Sequence, residues 1–305
     1  MTGKLSSRQT PDAFRVERVA GQYGGSRSRF ATPGLRTHKG RSLMKLKAQT
    51  HPVIGDLAPD QWGDSLMCFR EIPGLAAFIP EEAKETLKGL DPPDRKLVES
   101  WPKPGKELIE RCRDFDIFDA LRARGVFEVQ FSGTPTGSPS SEQVAAFEFF
   151  RANEAAISRN IGDALLRYYR AARAEDEDWF DESDCPAVKS VAELAKLATV
   201  DGVTFMKHAC EGTSLVSITW QVAWDEEHGL SMTLLKDQVV GLGTDGEDMD
   251  FEDNGGVWNR KLMTEPERQA RGKVAACASA FEDDDDEDED FDDDDFEDEE
   301  DDEDE

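Results

Sequence analysis

The 305-residue chain predicts an α+β fold: an antiparallel β-meander packed against helices, flanked by a basic N-terminal stretch and an acidic C-terminal tail. Three observations carry this expectation. A long amphipathic helix pattern runs from Ser140 to Tyr169, four strand-like runs follow between Val203 and Leu242, and the charge lies at the two ends.

The charge organises the chain. Lys and Arg number 36 against 66 Asp and Glu, a formal charge of −30. From 282 to 305 every residue except Phe291 and Phe296 is acidic, so 22 of the excess charges lie there and the rest of the chain carries −8. Such a tail repels itself and has only two aromatic anchors to bury, so it is expected to be extended. Residues 1–49 are expected to be a disordered basic extension, since the first 50 residues hold 11 Lys and Arg against Asp12 and Glu17. That stretch reads as a nucleic-acid-binding arm, a transit peptide, or sequence upstream of a translation start at Met44, the last being preferred. The folded domain is expected over 50–250, and a linker with a short helix over 251–281.

With 38% hydrophobic residues and no apolar run of about 18, the chain suits a soluble core and not a membrane span. Five Cys without a CxxC pair fit reduced thiols, and hence a cytoplasmic protein, better than a disulfide framework or a structural zinc site.

Taken in order, Trp62 and a strand at 65–69 open the domain, and residues 80–124 read as short helices broken at Pro92, Pro93, Pro102 and Pro104. Gly125 closes that section. Val126, Phe127, Val129 and Phe131 then mark a strand apolar on at least one face. Ser140 and Gln143 form a capping-box signature. Behind it Val144, Phe147, Phe150, Ile157, Ile161, Leu165 and Tyr168 share one helical stripe, with Gly162 as a joint between two helices. Ser190 and Glu193 predict a second capping box and a short helix through Leu194, Leu197 and Ala198. Runs at 203–209, 215–224, 230–235 and 238–242 are separated by connections too short for a parallel crossover, so they pair antiparallel, with helices expected on one face of the sheet. Thr264 and Glu267 predict the cap of a last helix.

Candidate chemistry is sparse. Gly241, Gly243 and Gly246 match GxGxxG, but acidic residues follow where a phosphate cradle needs a helix N-terminus, so turn glycines are expected. Asp250, Glu252, Asn254 and Gly255 imitate a calcium loop whose twelfth position is Lys261 in place of a carboxylate. Cys185, in an acidic loop before Pro186, is a poor nucleophile. The most distinctive string is Trp224-Asp225-Glu226-Glu227-His228-Gly229. There Gly229 is expected at positive φ, Asp225 on turn amides and His228 packed beside Trp224; the competing expectation is a metal or acid–base site built on Asp225, Glu227 and His228. No catalytic residue, metal or cofactor is assigned; Trp224, Asp225, Glu227, His228 and Gly229 are the candidate interaction or structural turn. Phe291 and Phe296 are the candidate tail anchors.

The strand pair near Trp62, the strand 126–131, the helix start at Ser140, the Tyr168-Tyr169 helix and the Trp224–Gly229 hairpin together resemble an uncharacterised bacterial family of the domain-of-unknown-function type with a WDxEHG hairpin, over roughly residues 60–245. The resemblance implies small cytoplasmic proteins, some immunity-like or accessory. A protein-binding or regulatory module is therefore expected, ahead of an acidic chaperone-like binder of basic proteins and a metal-assisted hydrolase. A protein partner is expected; neither a membrane nor a specific nucleic acid is.

Overall fold

A computed structural model describes residues 48–60, 65–79, 81–101, 115–134, 137–175, 180, 182–244, 257–258 and 261–278, which lie within one compact unit. The expectations for residues 1–47, the calcium-like loop at 250–255 and the tail with Phe291 and Phe296 fall outside these residues.

The fold is α+β, built on one eight-stranded sheet whose spatial order is its chain order. The strands are β1 (Gln49–His51), β2 (Gly55–Pro59), β3 (Leu66–Glu71), β4 (Val126–Phe131), β5 (Ala198–Cys210), β6 (Thr213–Val222), β7 (Asp225–Leu235) and β8 (Gln238–Gly243). All neighbours are antiparallel except β4 and β5, which run parallel with Phe131 opposite Phe205. A parallel pair needs a long crossover, and here it is the helix Ser141–Glu175. The expected meander β5–β8 is present. Its β5–β6 and β7–β8 turns place Glu211 (φ 53), Gly212 (φ 73) and Lys236 (φ 58) in left-handed conformations.

The helices are α1 (Glu81–Gly89), α2 (Pro92–Glu99), α3 (Phe115–Arg122), α4 (Ser141–Glu175), α5 (Val191–Leu194) and α6 (Glu265–Ala278), with a 3-10 turn at Pro73–Phe78. Helix α4 lays its predicted stripe on one sheet face. Phe147, Phe150, Ile157, Ile161, Leu165 and Tyr168 are buried against Phe131, Val203, Phe205, Ile218 and Trp220. Phe205 is ringed by Phe131 at 5.2 Å, Phe147 at 5.6 Å and Phe150 at 6.1 Å.

Helices on one face only was the expectation; they cover both. Strand side chains alternate between faces, and β3 and β4 are apolar on the second face too: Phe69 and Val126 pack with Val98, Trp101, Ile117 and Leu121 of α1–α3 and their junctions. On that same second face Leu215, Leu235 and Val240 meet Ala270 and Val274 of α6. Helix α6 thereby covers edge strand β8, and Arg271 Nη1 donates to the Val240 carbonyl at 3.5 Å. Covering an edge removes a template for unwanted strand pairing.

Several local expectations change. The break in α4 is at Asn153 (φ −118, ψ 15), not Gly162. The Asn153 side chain donates to the Phe149 carbonyl at 2.9 Å, competing with the helical ladder. Gly162 instead lets α5 approach: a Cβ there would lie 2.9 Å from Val191 Cγ1. Helix α5 stops at Leu194, because Ala198 is already paired with Val222 at the start of β5. Its Ser190 side chain accepts from the Glu193 amide at 3.3 Å, but Glu193 accepts from the Lys189 amide and not from that of Ser190. Pro92 starts α2 rather than breaking a helix, with Asp91 Oδ1 accepting from the Asp94 amide at 3.3 Å. Hairpin β1–β2 had no apolar alternation to announce it.

Candidate interaction site

The β6–β7 hairpin carries the distinctive string. The chain reverses at Ala223 and Trp224, and Asp225 pairs with Val222. Leu230 pairs with Trp220, so residues 226–229 bulge opposite the single residue Gln221. Gly229 supplies φ +72 to close the bulge. The string is thus a two-residue reversal followed by a bulge in β7, rather than one six-residue turn.

Each residue has a distinct place. Asp225 Oδ1 accepts from the His228 amide at 3.1 Å and lies 2.9 Å from His228 Nδ1. The Asp225 side chain is 16% exposed and that of His228 45%; Glu226 and Glu227 are exposed. Trp224 turns inward, 7% exposed. Its ring lies 4.8 Å from that of Tyr169, tilted by 60°, and Tyr169 meets Phe180 edge-on at 5.6 Å. The reversal is also held by the Ala223 amide, which donates to the Leu197 carbonyl at 2.8 Å.

Helix α4 builds the seat for Trp224. Tyr169 Oη donates to the Pro186 carbonyl at 2.8 Å, and burial raises its phenol above the ordinary value, with Cys185 adding to the effect. Arg170 donates to the carbonyls of Val188 and Lys189, and Arg173 to that of Cys185. These bonds hold residues 185–189 beside the hairpin. Cys185 is buried, 4% exposed. The Trp224, Tyr169 and Phe180 cluster was not legible in sequence, since its members are far apart along the chain; the Tyr168-Tyr169 doublet was the one signal.

The other candidates are not brought to this hairpin. His208 is beside Ala209, which pairs with Ser214, while the hairpin begins beyond Val222; eight residues of strand separate the two ends, about 25 Å at the usual rise. Among the described residues no group of three or more His, Cys, Asp or Glu is placed to hold a metal ion. Gly241 and Gly243 stand in the β8 ladder, opposite Thr233 and Ser231, rather than in a turn after it. A crevice with Arg70, Glu71, Arg151 and Glu154 around Phe147 and Phe150 contains none of the predicted site residues. Among the described residues no helix is long and apolar enough to cross a membrane.

The fold and hairpin define an α+β domain with an anchored, acidic strand connection. A domain of unknown function (DUF6985) is found at residues 107–249. That span holds β4–β8 and helix α4, with the Tyr169 seat and the hairpin it receives. No curated protein and no solved structure matches the chain.

Proposed function

We propose that this protein is a non-enzymatic protein-binding or regulatory module whose contact surface is the β6–β7 hairpin tip. One observation carries the proposal: Trp224 is buried on Tyr169 while Glu226, Glu227 and His228 of the same hairpin are exposed. A tip whose backbone is already fixed loses little conformational freedom on binding. Its adjacent carboxylates favour a basic patch on the partner, chiefly through faster association. The WDxEHG resemblance supports a bacterial, cytoplasmic, immunity-like or accessory role, in which the partner is a toxin.

The test is charge reversal at the tip. Glu226→Lys with Glu227→Lys leaves the buried anchor untouched. It is expected to weaken binding to a partner isolated from the native host by about tenfold or more, mainly through the on-rate. Unchanged affinity with an intact fold would remove the tip from consideration.

A second reading rests on composition: 22 of the 24 residues at 282–305 are acidic. Such a tail suits a chaperone-like binder of basic proteins. Deleting 282–305 is then expected to abolish capture of a basic partner, and that capture to weaken steeply with salt. Metal-assisted hydrolysis centred on Asp225, Glu227 and His228 has only the Asp225–His228 contact in its favour, with no third ligand placed beside the pair among the described residues; it is tested by the metal content of the purified protein with and without His228→Ala.

A further inference from the structure

Two thiols meet where α6 ends against the sheet. Cys210 is the last residue of β5 and Cys277 lies in the last turn of α6. Their side chains pack into one apolar cluster. Cys210 Sγ also donates to the Lys273 carbonyl at 3.5 Å; Lys273 lies one turn before Cys277, on the same helix face. Lys273 Nζ reaches Glu211 at 2.9 Å, tying this turn of the helix to the β5–β6 connection. Cys210 is buried and Cys277 half-exposed, both within the apolar cluster of Leu215, Leu235, Val240 and Val274. Cys68 and Cys185 lie in the larger core instead.

We propose that Cys210 and Cys277 form an oxidisable dithiol, and that the disulfide they make under peroxide fastens α6 over edge strand β8.

The chemistry follows from exposure. Burial, then the neighbouring Cys277, raise the Cys210 thiol to about 12, so Cys210 stays protonated. The more accessible Cys277 thiolate therefore attacks the peroxide oxygen, forming a sulfenic acid as the peroxide bond breaks and hydroxide leaves. Cys210 sulfur then attacks Cys277 sulfur. The S–S bond forms, and the sulfenic hydroxyl departs as water with the proton from Cys210. Across both steps two thiols and one hydrogen peroxide give one disulfide and two waters, with two electrons passing from sulfur to peroxide. The link closes the chain between 210 and 277, which restricts the unfolded state. It holds the root of the acidic segment against the sheet.

The test uses the full chain. The reduced protein is treated with hydrogen peroxide, blocked with maleimide, digested without reductant and mapped by mass spectrometry. The expected result is a linked peptide pair containing Cys210 and Cys277, loss of two of the five thiols, and reversal by dithiothreitol. Thermal unfolding of the oxidised protein is expected to shift upward. Since Cys210 is buried, Cys277→Ser is the principal variant: it is expected to keep the reduced protein's melting temperature and to lose both the linked peptide and the shift. Cross-linking of Cys277 to Cys68, Cys112 or Cys185, or its oxidation to sulfinic acid while Cys210 remains free, would overturn the proposal.

Discussion

Arg167 on α4 donates from one Nη2 to both carboxylate oxygens of Glu267 on α6, at 2.6 and 2.8 Å. Glu267 is 4% exposed and also accepts from the amide and hydroxyl of Thr264, so it caps α6 and ties that helix to α4 at once. The Arg167 guanidinium lies 5.3 Å over the ring of Trp258. Arg167→Met strips a buried carboxylate of its cation and is expected to cost about 3 kcal/mol, the lower end for such losses. Denaturant melts of Arg167→Met, Glu267→Gln and the double variant check this. A coupling energy near zero would show that the two side chains do not stabilise each other.

Gly162→Ala separates helix propensity from packing. Alanine favours a helix interior by about 1 kcal/mol over glycine. The new methyl would meet Val191 Cγ1 at 2.9 Å and Cγ2 at 3.3 Å, and overpacking costs about 1–3 kcal/mol. The expected result is net destabilisation, relieved when Val191→Ala is added. A more stable single variant would mean that α5 yields freely.

The hairpin anchor and the hairpin tip are predicted to differ in stability effect. Trp224→Ala opens a cavity against Tyr169 and is expected to cost about 3–5 kcal/mol. His228→Ala, at a half-exposed position, is expected to stay within about 1–2 kcal/mol, an ordinary range for a single substitution. Equal losses in urea melts would place His228 in the structural anchor.

Half-buried Glu128, on the sheet face opposite α4, gives a pH signature. Burial raises its carboxyl above the ordinary 4.5, and Asp201 and Asp60 add to the effect, against a hydrogen bond from Gln130. The folded-state value lies above the unfolded one. The protonated group therefore contributes stability in full below the unfolded value, and this is lost as pH rises through the raised value. Glu128→Gln is expected to be more stable than the parent at pH 7, with the difference closing below pH 4.5. Melting temperatures across that range check it; an advantage independent of pH would point to packing instead.

Much of the second half was legible in the sequence. Turn signals at Glu211-Gly212 and Lys236-Asp237, and runs of Val, Ile and Thr, mark β5–β8. The Ser140 box forms with both reciprocal bonds, at 3.2 and 2.9 Å. What the box does not reveal is that Gln143 Nε2 also donates to the carbonyls of Ser132 and Phe205, at 2.8 and 3.0 Å, joining the helix start to the parallel strands. Long-range polar links of this kind leave no local period. Hairpin β1–β2 escaped for a related reason, since its turn is held by His51 Nδ1 accepting from the amides of Val53 and Ile54. The Trp224–Tyr169 contact joins two conspicuous sequence features, but their separation along the chain hides that one is the seat of the other.

Strand β4 has no neighbour close in sequence: residues 72–125 separate it from β3 and residues 132–197 from β5. The other junctions close over short turns and can zip locally, whereas β4 must find both partners across long stretches of chain, which is slow. Insertion of this six-residue ribbon is thus expected to set the refolding speed. Until it arrives, the β5–β8 ribbon presents the open margin of β5, the place where a chain stalled during synthesis would stick to another copy.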